Sequence, residues 1–165
     1  MEMEDIVDIV RDYLDDNGYH YEYNAEHRFL QLGFWLKCKL KRAKVIVEFR
    51  PAGYLVYAIS PISGDKDSMG ELLKFVAMAN YGLVNGNFEV DVRDGEVRYK
   101  CWVSTWKLEA YPADMFDESL SVPLMMMERY GDGIAALALG FSDAETEIAK
   151  AERRDEPDDA PGDDD

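Results

Sequence analysis

The chain has few of the residues that metal and redox chemistry need: two cysteines and two histidines among 165 positions. Cys38 and Cys101 are too far apart for a zinc motif and too few to staple a small disulfide scaffold. His20 and His27 would need further ligands placed with them, and no spacing supplies any. No metal or cofactor is expected. Basic residues are also scarce, 18 Lys and Arg against 34 Asp and Glu, for a net charge of −16. Nucleic-acid and anionic-membrane surfaces need clustered cations, so neither is an expected partner. No apolar run approaches the ~20 residues that span a bilayer. The opening Met-Glu-Met-Glu-Asp has no basic n-region and no apolar h-region, so no signal peptide is expected. A reducing cytoplasm is the expected compartment. Gly82, Gly86 and Gly95 form neither a P-loop nor a dinucleotide-binding pattern.

What is present suits a globular protein: 47% hydrophobic and 12% aromatic residues. The acids are unevenly spread. Residues 155–165 hold seven acids and no base, so they carry −7 of the net −16 and leave −9 on the rest. Residues 1–154 are expected to form a single domain and 155–165 a disordered acidic tail.

Apolar residues at Met3, Ile6, Val7, Val10 and Leu14 recur at helical spacing. That helix should end at Asn17-Gly18. Residues 19–23 alternate and read as a short aromatic strand. Leu30, Leu32, Phe34, Leu36, Cys38 and Leu40 alternate with Gln31, Gly33, Trp35, Lys37, Lys39 and Lys41, which predicts one long strand with a single buried face. Strands are also predicted over 45–50 and 54–60. Ser68 and Glu71 have capping-box spacing ahead of a helix over 69–82, and Ser142 and Glu145 repeat it ahead of a polar helix ending near 154. Residues 107–121 read as irregular or weakly helical. Pro123 is placed in the first turn of a further helix, which Gly131 and Gly133 should weaken and Gly140 should cap. A mostly antiparallel sheet of about six strands with flanking helices, in the order α-β-β-β-β-α-β-β-α, is the α+β solution for this pattern.

Residues 80–106 are the most strongly specified stretch. Asp94-Gly95 predicts a two-residue type I′ turn. Arg93 then faces Glu96, Asp91 faces Arg98 and Glu89 faces Lys100, a charged ladder on one face. Val92 faces Val97, Val90 faces Tyr99 and Phe88 faces Cys101 on the apolar face. A one-residue slip would bury the charges.

No nucleophile, base and orienter come together in the sequence, so no enzymatic activity is expected. Cys101 alternates into the apolar face and reads as a small buried hydrophobe. Three consecutive residues, Met125, Met126 and Met127, cannot all face one core, so part of that run is core and part is a candidate partner surface. Trp102 and Trp106 fall where the alternating pattern breaks and are further candidates for partner binding. Lys37, Lys39 and Lys41 form a basic patch in an acidic chain. They suit either protection of a sheet edge or docking of an acidic partner, the chain's own tail included.

Asn80-Tyr-Gly-Leu83, Gly86-Asn-Phe-Glu-Val-Asp91 and Asp94-Gly-Glu-Val-Arg-Tyr99 together resemble the signature of the YbjN-like family of bacterial proteins, associated with sensory transduction regulation. Arg28-Phe-Leu-Gln-Leu, Tyr54 to Pro61 and Arg129-Tyr130 leading to Gly140 extend the likeness over about residues 3–140. The resemblance implies a fold similar to type III secretion chaperones, commonly a homodimer, in a small, acidic, cytoplasmic protein. It carries over no catalytic residue. Its matched positions Asn80, Gly86, Phe88, Asp91, Gly95 and Tyr99 are expected to be structural. This chain has Val84-Asn85 where many relatives have a proline. Together these readings point to a non-enzymatic protein-interaction domain, a regulator or chaperone-like adaptor. The alternative is a small-molecule or peptide binding module with a pocket between sheet and helices.

Overall fold

In a computed structural model, which describes residues 2–106 and 112–153, six strands form one antiparallel sheet in the order β1-β2-β3-β4-β6-β5. The elements are α1 (Met3–Asp16), β1 (Glu22–Asn24), β2 (Phe29–Trp35), β3 (Arg42–Arg50), β4 (Gly53–Ile59), α2 (Met69–Asn80), β5 (Asn87–Val90), β6 (Val97–Ser104), α3 (Pro112–Ala138) and α4 (Ala144–Glu152). This is the expected α+β order. The expected tail, residues 155–165, lies outside the described residues.

Alternation along each strand sorts the sheet into two faces. Leu30, Val47, Val56 and Cys101 lie side by side across four strands, as do Leu32, Val45, Ala58, Tyr99 and Phe88. All nine are buried and face the helices. Ile6, Val10 and Leu14 of α1, Leu72 and Phe75 of α2, and Phe116, Met127, Tyr130 and Ile134 of α3 complete that core. Edge-on rings join α1 to α3, where Phe116 meets Tyr13 at 4.9 Å, and α3 to the sheet, where Tyr130 meets Phe88 at 5.3 Å. Each such buried side chain contributes about 1.5–3 kcal/mol through removal of apolar surface from water.

The structure departs from the sequence reading at four places. The predicted long strand ends at Trp35, and residues 36–41 form a tight loop closed by Leu36 N–H donating to Lys41 O at 2.8 Å. Helix α3 holds this loop. Glu128 accepts from the backbone N–H of Lys37 at 2.6 Å and of Cys38 at 3.1 Å, and Asp132 accepts from that of Lys39 at 2.8 Å. Leu36, Cys38 and Leu40 are still buried while Lys37, Lys39 and Lys41 are exposed, so the alternation survives without the strand.

The hairpin register is shifted by two residues. Glu89 faces Arg98, Phe88 faces Tyr99 and Val90 faces Val97. Over the paired residues the faces are kept, because the shift is even, while Val92, expected on the apolar face, lies in the loop and is exposed. A wider loop replaces the two-residue turn: Gly95 N–H donates to Asp91 O at 2.7 Å, and Asp91 N–H to Glu96 O at 2.9 Å. The Asp91 carboxylate draws the loop together by accepting from Arg93 N–H at 2.9 Å and from its guanidinium. Asp91 therefore pairs with Arg93, not Arg98.

Neither predicted capping box forms. Ser68 Oγ accepts from Asp65 N–H at 2.8 Å, and Glu71 instead accepts from Ala144 N–H at 2.7 Å, tying the start of α4 to α2. The N-cap of α4 is Asp143, which accepts from Thr146 N–H at 2.9 Å. Lastly, Pro123 does not begin a helix: α3 starts at Pro112, so residues 112–121, expected to be irregular or weakly helical, belong to it and Pro123 lies inside it, while 107–111 lie outside the described residues. Gly131 and Gly133 are points of close approach within α3. A Cβ on Gly131 would lie 2.5 Å from Cys38 Sγ, and one on Gly133 2.8 Å from the Phe75 ring.

Candidate functional site

Because the four helices of the described residues gather on one face, no helix among those residues covers the opposite face of the sheet, the bare face. Its residues are those that alternate away from the core. Phe29, Glu48, Leu55 and Trp102 form one cross-strand row; Gln31, Ile46, Tyr57 and Lys100 the next; Gly33, Lys44, Ile59 and Arg98 the third; Trp35 and Arg42 the last. The face is mixed. Tyr57 and Ile59 are buried, while Trp102 is 47% and Trp35 85% exposed. The Trp102 indole leans over β4, where a Cβ on Gly53 would sit 3.0 Å from its Cζ2.

Arg98 knits the middle of this face. Its guanidinium lies 4.4 Å from the centre of the Tyr57 ring, and its Nε donates to Glu89 at 2.8 Å. Lys100 pairs with the other Glu89 oxygen. Burial pushes the Glu89 carboxyl up, but the hydrogen bonds from Lys100 and Arg98 outweigh it and hold it below its ordinary value. Burial, and then the nearby Glu48 carboxylate, raise the Tyr57 phenol. Cys38 and Cys101 face the core, and burial raises both thiols, Cys101 to about 11. Among the described residues no group of three His, Cys, Asp or Glu could hold a metal ion. None of their helices is long and apolar enough to cross a membrane.

The sequence-predicted partner residues fall on different surfaces. Trp102 stands on the bare face. Trp106, just beyond β6, is 68% exposed. Met127 is fully buried, Met126 half-buried and Met125 exposed, all on α3 beyond the sheet from Trp102. The sheet thus separates the methionines from that tryptophan. Lys37, Lys39 and Lys41 lie on the 36–41 loop at one end of the sheet. Trp35 was not singled out, although an aromatic on the polar side of an alternating strand was a readable signal.

The matched family positions have structural surroundings. Asn80 bonds the backbone of Phe88 twice. Gly86 has φ 77°, and a Cβ there would meet Lys100 O at 2.5 Å. Gly95 has φ 76° and presses on the Gly64 backbone. Tyr99 packs edge-on against Phe88 at 4.9 Å and donates its hydroxyl hydrogen bond to Asn85 O. Asp91 shapes the hairpin loop.

Among the described residues, a single antiparallel sheet with helices on one side and none on the other defines the class: a two-layer α+β fold with an open sheet. The crystal structure of YbjN from E. coli, a proposed transcription regulator, shares it with a TM-score of 0.51 over 73% of this chain and 90% of YbjN. At 15% identity the likeness is one of fold. No protein-family model matches the chain. No curated protein matches it in sequence.

Proposed function

We propose that the chain is a non-enzymatic interaction domain, a YbjN-like regulator or chaperone-like adaptor that receives a protein partner on the bare face of its sheet and assembles as a homodimer. One observation carries this reading: Trp102, 47% exposed, stands opposite Leu55 on a sheet face that no helix of the described residues covers. Exposed tryptophans are common anchors of protein interfaces. The fold shared with YbjN, itself a proposed regulator, supports the same reading.

A photo-crosslinking amino acid placed at Trp102 or Leu55, and for comparison at Leu73 on α2, tests the surface in bacterial cells. Discrete adducts are expected from the two sheet positions. The crosslinked protein, purified, should bind the wild-type chain and lose at least tenfold in affinity to Trp102→Ala. Adducts from Leu73 alone, or an affinity unchanged in Trp102→Ala, would overturn the assignment. Light scattering should give twice the 18.9 kDa chain mass.

A further inference from the structure

Two concavities on the bare face meet at Gly33 and Lys44. One, of about 620 Å³, runs from Trp35 and Arg42 to Ile59 and Pro61. The other, of about 380 Å³, continues past Gln31 toward His20. They join because Gly33 presents no side chain: a Cβ there would have no atom within 4 Å. In register, Gly33 lies opposite Lys44 and Lys44 opposite Ile59, while Trp35 lies opposite Arg42. The groove floor is therefore a bare backbone strip beside an indole that is 85% exposed.

The charges lining this groove are unequally satisfied. Glu96 is paired with Arg98 at 3.8 Å, and Glu22 accepts from Gln31 Nε2 at 2.6 Å. Arg42 and Lys44, two apart on β3 and so on the same side, have no acidic partner within 4 Å among the described residues. A chain of net charge −16 thus keeps two unneutralised cations next to a bare aromatic ring.

We propose that this groove binds a small flat aromatic carboxylate. The carboxylate sits between Arg42 and Lys44, and the ring lies over Gly33 against Trp35. A volume of several hundred Å³, a mostly apolar lining and a few convergent polar groups are what small-ligand sites share. A guanidinium grips a carboxylate with two parallel hydrogen bonds, and the indole offers an offset-stacking surface. The site needs no protein partner and lies at the other end of the face from Trp102, so it stands apart from the docking reading.

Titration with 2-naphthoate, followed by amide NMR shifts, tests it. Saturable binding is expected, with the largest shifts at Gly33, Arg42, Lys44 and the Trp35 indole. The neutral 2-naphthylmethanol should bind at least tenfold more weakly. Lys44→Gln and Arg42→Gln should each weaken naphthoate about tenfold, and Trp102→Ala should leave it unchanged. Gly33→Val fills the floor, fits a strand, and should abolish binding with an unaltered melting temperature; Trp35→Ala, at an exposed site, serves should that variant melt early, and should also weaken binding about tenfold. Absence of saturation, equal affinity for the neutral analogue, shifts mapping elsewhere, or tighter binding of a tetraglutamate peptide would each overturn the proposal.

Discussion

Asn80, the last residue of α2, closes its side-chain amide on the backbone of Phe88: Nδ2 donates to Phe88 O at 3.0 Å, and Oδ1 accepts from Phe88 N–H at 2.7 Å. The amide does for β5 what a further strand would do. It satisfies the outward polar groups at the middle of an edge strand and leaves less backbone free for another chain. It also fixes how α2 leads into the hairpin, and it explains why an asparagine stands at the start of the signature-like stretch.

Removing that amide should cost stability and open the edge. Asn80→Ala leaves the Phe88 N–H and C=O without partners, a loss of about 2–3 kcal/mol for two half-buried groups. For a chain of this size the melting temperature should fall by about 4–12 °C. Asn80→Asp keeps the acceptor and loses the donor, so it should fall between the two. Thermal melts order the three proteins, and light scattering on heating should show Asn80→Ala aggregating first.

Helical glycines should respond in opposite directions. Glycine costs about 1 kcal/mol against alanine within a helix. Gly70 in α2 has open space around its missing Cβ, so Gly70→Ala should stabilise by up to that amount. Gly131→Ala would drive a methyl to 2.5 Å from Cys38 Sγ, and the packed loop beneath α3 would have to move. It should destabilise by about 1–3 kcal/mol despite the better helix propensity. Urea melts of the two variants check the sign.

The 36–41 loop should depend on a carboxylate that is distant in sequence. Glu128 accepts from two successive backbone N–H groups, and charge-assisted bonds of this kind are worth about 1.5–3 kcal/mol when partly buried. Glu128→Ala should lower stability by about 2–3 kcal/mol and expose the amides of Lys37 and Cys38 to rapid hydrogen exchange. The amides of β3 should keep their protection. Glu128→Gln, which keeps an acceptor oxygen, should recover part of both.

The order of elements and the buried residues were legible because alternation and helical spacing record which side of the backbone meets the core. Where the chain changes direction was less legible. Leu36, Cys38 and Leu40 alternate as a strand would, yet they are buried beneath α3 in a loop whose N–H groups go to Glu128 and Asp132, some 90 residues later. The hairpin faces were readable, since an even shift preserves them; the register was not, because Asp91 and Gly95 build a wider loop. Glu71 had capping-box spacing and caps another helix, a choice that only tertiary packing makes. The groove at Gly33 is hidden for the same reason. A glycine and a lysine eleven residues apart in sequence become floor and charge only once β2 pairs with β3.

Acid should loosen the β5–β6 hairpin through Asp91. Hydrogen bonds from the Arg93 side chain, then from its backbone N–H, hold the Asp91 carboxyl at about 2, below its ordinary 3.8. A carboxylate whose folded pKa is depressed adds stability above its unfolded value, and that stability is lost as pH falls through the folded value. The contribution of Asp91 is therefore complete above about pH 4 and disappears toward pH 2. Carbon-detected NMR of the Asp91 carboxyl should titrate with a midpoint near 2, and Arg93→Gln should move it up toward 3.8. In denaturant melts between pH 5 and 2, Asp91→Asn should lose stability less steeply than the wild type. Part of the slope should remain, because the Glu89 and Glu147 carboxyls are also held below their ordinary values. A wild-type midpoint near 4, unmoved by Arg93→Gln, would show that the Asp91–Arg93 pair does not hold the loop in solution.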